Sequence, residues 1–148
     1  MIHKLAPDEG VSPANTLSRP KYDRSQLSAG IVHINIVGNT VYIGPATDSR
    51  VLRTLVHRRE NELAELAQGK ILMARAARLK REYTIRFGDL TSPREVLSLI
   101  ASRWDIAIES NEAIPHDLWA GSVLPRATAA EALSLVLIQY GMTFRWVD

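Results

Sequence analysis

The sequence predicts an α+β protein: a small sheet carrying two capped helices on one face, preceded by a β-hairpin and a helical spacer. Three observations point there. A helix-then-strand unit is written twice between Ser92 and Trp146, two short alternating apolar runs meet at Gly38-Asn39, and the stretch between hairpin and repeat has helical spacing.

The repeated unit is the most explicit feature. Ser92-Pro93-Arg94-Glu95 is answered thirty-six residues on by Thr128-Ala129-Ala130-Glu131. Each is a capping box, in which the hydroxyl takes the third free N–H of the helix and the Glu reaches back to the first. Pro93 suits the first helical position, where its missing N–H would have had no partner. Leu97, Ile100, Ala101 and Trp104 then match Leu133, Val136, Leu137 and Tyr140 at helical spacing. Afterwards the period changes to two, in Ile106 and Ile108 and again in Met142, Phe144 and Trp146. The order predicted is strand 83–90, helix 92–104, strand 105–110, a short edge strand at Val123-Leu124 before Pro125, helix 128–140 and strand 141–147.

Upstream, residues 1–24 are rich in Pro, Ser, Asn and Asp and lack periodicity, so they read as an irregular tail. Residues 25–46 hold the hairpin. Val32, Ile34 and Ile36 alternate with His33 and Asn35, Gly38-Asn39 supplies a turn that accepts positive φ, and Val41 and Ile43 alternate with Thr40 and Tyr42. Residues 47–82 read as the helical spacer. Thr47 or Asp48 can cap a helix to about Leu66 with a Leu52, Leu55, Val56, Leu63 and Leu66 stripe, Gly69 breaks it, and a second helix runs from Ile71 to about Glu82 over Leu72, Ala76 and Leu79.

Composition narrows the classes. An apolar content of 46% with 23% charged residues is that of a globular chain rather than a disordered one. The net charge of +2 gives no electrostatic reason to expect nucleic acid. With no cysteine there is neither a disulfide nor a thiolate metal site, and no run of eighteen apolar residues could span a bilayer.

The order of elements, closing on Gly141-Met142-Thr143-Phe144-Arg145, resembles the short N-terminal domain of secretins and TonB-dependent receptors over residues 83–148. The hairpin, with Thr40-Val41-Tyr42-Ile43-Gly44 after Gly38-Asn39, resembles the closing strands of a partial second copy. The resemblance implies a non-enzymatic docking and signalling module of the bacterial cell envelope, periplasmic, binding a protein partner without a cofactor. Strand addition to an open sheet edge is the physical form such docking would take. Residues 1–20 contain no apolar export segment, so the expectation is that the chain is a fragment of a longer reading frame. The final strand is expected to have an uncovered edge, met either by hairpin 31–43 or by further chain.

Candidate contact residues follow. Trp119, in the irregular linker, and Met142, Phe144 and Trp146 on the final strand are the candidates for a partner, although Trp104 and Trp146 also occupy core-type positions. Arg75, Arg78 and Arg81, with Lys80 and Arg86, could touch phosphates, which keeps a nucleic-acid or anionic-surface binder open beside a simple solvated face. His116-Asp117 with Glu109 or Glu112 could serve a small hydrolase-like enzyme, or Asp117 could only cap the Leu118-Trp119 turn. His3, His33, His57 and His116 fall at no metal-ligand spacing, and the scattered glycines form no phosphate loop, so no metal or cofactor is expected.

Overall fold

The computed structural model of the chain describes residues 3–6, 32–67 and 70–147. In order they form β1 (His3–Ala6), β2 (Val32–Val37), β3 (Thr40–Pro45), α1 (Ala46–Leu66), α2 (Lys70–Leu79), β4 (Tyr83–Phe87), α3 (Pro93–Trp104) and β5 (Ile106–Ile108). There follow β6 (Ser122–Ala127), α4 (Ala129–Leu137) and β7 (Arg145–Val147), with single 3-10 turns at Asn111–Ala113 and Ile138–Tyr140. The class is α+β. Its strands are divided among three small sheets, β5-β1-β7, β2-β3 and β4-β6, instead of sharing one.

Both capping boxes form as the sequence predicts. Glu95 N donates to Ser92 Oγ at 3.3 Å while Ser92 N donates to Glu95 Oε2 at 2.7 Å, and Thr128 and Glu131 repeat the same two distances. The helices they start supply the core. Val96, Leu97, Ile100 and Trp104 of α3 interlock with Leu133 and Val136 of α4, and α3 touches both β4 and β5. Every residue of α4 except Glu131 is buried, which is why its sequence is almost uniformly apolar.

The final strand is covered from an unexpected direction. Residues 3–6, read as irregular tail, form the middle strand of the three-stranded sheet, parallel to β5 and antiparallel to β7 with Leu5 opposite both Ile108 and Trp146. The hairpin therefore does not lie beside β7; among the described residues it pairs only with itself. β7 is also shorter than the expected 141–147, because the Ile138–Tyr140 turn and Gly141 (φ +65°) extend the helix end before the chain becomes extended.

Residues 47–66 do more than separate two parts. α1 packs on α4, β2, β3 and β7, with Leu52, Val56 and Leu63 buried as the stripe predicts. The stripe also contains Arg59, which is 0% exposed. Its guanidinium lies over the Phe144 ring at 5.6 Å and donates to Glu62 Oε2 at 2.7 Å, and its carbonyl accepts from Trp146 Nε1 at 2.9 Å. The expected Thr47 or Asp48 cap is not used: α1 starts at Ala46, directly after Pro45, with no side-chain cap. Gly69 lies outside the described residues. α2 ends at Leu79, earlier than the Glu82 expected, and buries Ala76 and Leu79.

The middle strand is longer than Val123-Leu124. β6 runs through Pro125 and pairs with β4 across a register shift, with Arg126 at φ +44°. Pro125 is tolerated because, among the described residues, β6 pairs only with β4, and a proline can face the unpaired side of an edge strand. No helix among the described residues is long and apolar enough to cross a membrane.

Candidate functional site

The hairpin presents its faces in an unexpected sense. Alternation in a half-buried strand normally puts the β-branched set inward, yet Ile34, Ile36, Val41 and Ile43 are 70%, 64%, 58% and 63% exposed. The inward set is Val37 and Tyr42, which pack on Leu52 and Val56 of α1, on Leu135 of α4 and on Ile138 of the turn that follows it. Asn35, also on that side, is satisfied because its Nδ2 donates to the Ser49 carbonyl. Register places Ile34 opposite Ile43 and Ile36 opposite Val41, so four aliphatic side chains form one solvent-facing patch.

Beside the hairpin is a cleft of about 530 Å³, bounded by Thr40 to Ile43 on one side, by Phe87, Trp119 and Leu124 on the other, and floored by Leu135 and Val136. Its far wall is firmly positioned. Trp119 N donates to Thr91 O at 3.0 Å and Leu90 N to Trp119 O at 2.8 Å, and Gly121 N donates to Asp89 Oδ1 at 2.6 Å. Trp119 Nε1 donates to Tyr140 Oη at 3.0 Å and to Asp117 Oδ2 at 3.2 Å, and the Tyr140 hydroxyl donates to the same carboxylate oxygen at 3.2 Å. The Trp119 and Tyr140 rings lie within 4° of parallel with centroids 6.2 Å apart, and Phe87 lies 6.0 Å from Trp119. Burial pushes the Tyr140 phenol up to about 12, and the Asp117 carboxylate adds to the shift.

Trp119, the contact candidate of the linker, lines this cleft. Of the other partner candidates, Phe144 and Trp146 are core residues stacked edge to face at 5.0 Å, and Met142 is half-buried against the same core. Phe144 and Trp146 are thereby withdrawn from any contact surface, and Met142 keeps only part of its side chain exposed. The hairpin patch was missed for the opposite reason: two apolar sets of opposite parity, Ile34/Ile36/Val41/Ile43 and Val37/Tyr42, compete for the interior, and only the neighbours of the hairpin decide between them.

Among the basic candidates, Arg78 pairs with Asp105, while Lys80 and Arg86 are exposed. Arg81 is exposed, its carbonyl receiving Trp104 Nε1 at 3.0 Å, and Arg75 is half-buried. The polar pocket required for His116-Asp117 chemistry does not assemble: His116, Glu109 and Glu112 are exposed, and Asp117 Oδ1 accepts the Leu118 N–H, although Leu118 and Trp119 form no turn for it to cap. No protein-family profile, curated protein or solved structure matches the chain.

Proposed function

We propose that the chain is a non-enzymatic protein-docking module of the bacterial cell envelope, working in the periplasm in the manner implied by its resemblance to the short N-terminal domain of secretins and TonB-dependent receptors. The observation that carries this reading is the hairpin face. Isolated exposed aliphatic residues are ordinary, but four contiguous β-branched side chains on a rigid two-stranded ribbon are the mark of a surface another protein covers. The duplicated capped unit adds support, since its apolar side chains are committed to a shared core, leaving the hairpin and the neighbouring linker as apolar surface open to a partner.

A photo-crosslinking residue at position 36, expressed in the native host, tests the reading. The expected result is a discrete protein adduct recovered from the envelope fraction, absent from a control crosslinker at Arg58 on the outer side of α1. Equal labelling at both positions, or none at 36, would contradict it.

A further inference from the structure

We propose that the cleft between β3 and β6 receives an extended, uncharged, predominantly apolar peptide segment of the partner protein, which pairs with the open edge of β3 and seats one large side chain against Phe87 and Trp119. The proposal rests on the docking reading and specifies its chemistry.

Main-chain geometry indicates the occupant. β3 pairs only with β2, and β6 only with β4, so among the described residues both strands beside the cleft have an unpaired edge. In a hairpin with a two-residue turn the flanking pair, here Val37 and Thr40, is the hydrogen-bonded one, and pairs alternate from there. The N–H and C=O groups of Val41 and Ile43 consequently point away from β2. An edge of this kind is a template, and what it fits is another backbone at strand spacing. From Thr40 to Ile43 the template spans about 10 Å at roughly 3.3 Å per residue, enough for a segment of about four residues.

Contacts at one end tie the hairpin to the wall opposite. Asn39 Nδ2 donates to the Arg126 carbonyl at 3.2 Å, and Gly38 sits directly against the Glu131 carboxylate that caps α4. Near the same end the Thr40 hydroxyl is buried without a hydrogen-bond partner among the described residues. Among the described residues no charged side chain lines the cleft, so they offer a charged occupant no compensation for lost hydration. Its volume of about 530 Å³ lies within the range of real binding pockets and accommodates an aromatic or long aliphatic side chain.

The test uses the full chain and a phage-displayed library of random heptapeptides, followed by synthetic versions of the enriched sequences. Enriched peptides should alternate apolar with uncharged residues, and N-methylation at alternate backbone positions should weaken them by about tenfold or more. On peptide addition, the Val41 and Ile43 amides should exchange about tenfold more slowly by NMR. Val41→Pro should abolish enrichment while leaving the β2-β3 ladder intact, because that amide faces away from β2. Should Val41→Pro perturb the hairpin, the N-methylated peptides make the same discrimination on the unaltered chain. No enrichment above background, or peptides indifferent to N-methylation, would overturn the proposal. So would slow exchange at Val41 and Ile43 in the isolated monomer, which would mean the cleft closes on itself, or slow exchange only where ultracentrifugation shows a dimer, which would make a second copy the occupant. If any of these results appears while residue 36 still yields a specific adduct, the cleft assignment fails and the docking reading stands.

Discussion

Gly38 meets two requirements at one position. Its φ of +53° suits the hairpin turn, and an added Cβ would run into the Glu131 carboxylate. Gly38→Ala is therefore expected to destabilise the fold by about 2 kcal/mol in urea titrations, more than left-handed backbone strain alone tends to cost. Arg59 is the opposite case, a charged side chain whose role no periodicity shows. Its stem fills the α1 stripe while its charge is met by Glu62 and the Phe144 ring, so Arg59→Ala should lose about 3 kcal/mol and Arg59→Met markedly less. For Tyr140, a folded value pushed up from 10.0 to about 12 means that the folded state retains its proton where the unfolded state has lost it. The stabilisation is thus complete below the unfolded value and disappears as pH rises from about 10 through about 12, and Tyr140→Phe should flatten that part of the pH-stability curve.

Among the elements, those with local signals were legible. The two capping boxes, the Gly38-Asn39 turn and the Leu52/Val56/Leu63 stripe depend on residues three or four apart, and each formed where the spacing placed it. β1 was not legible, because His3-Lys4-Leu5-Ala6 has neither β-branched residues nor turn signals of its own. Its place comes from β5 and β7, which leave a gap between them a hundred residues later in the chain. Leu5→Pro removes a main-chain donor from a central strand and should accelerate amide exchange across residues 106–108 and 145–147 together. Unchanged exchange there would mean that β1 contributes nothing to either neighbour. The edge character of β6 was legible from Pro125, but its extension through Pro125 to Ala127 was not, because the length of the pairing is set by β4.

At the scale of the whole molecule, α4 joins what the sequence divided. One side of it, Leu133 and Val136, belongs to the core of the repeated unit, while Leu135, with Ile138 just beyond its end, belongs to the cluster made by the hairpin and α1. The hairpin, α1 and the repeated unit should consequently melt together, and Leu135→Ala should lower the single transition by about 2 to 4 kcal/mol. That shared burial also explains the hairpin's inverted display: with Val37 and Tyr42 drawn onto α1 and α4, the other aliphatic set has only solvent or a partner to face. The most direct measurement of the docking account replaces that set by charge, as Ile34→Lys with Ile43→Glu, an opposite-charge pair facing across the ladder, and reads both urea stability and the adduct formed from a crosslinker at residue 36. The account predicts stability within about 0.5 kcal/mol of the parent chain together with loss of the adduct by about tenfold or more. An undiminished adduct on the charged hairpin would contradict it.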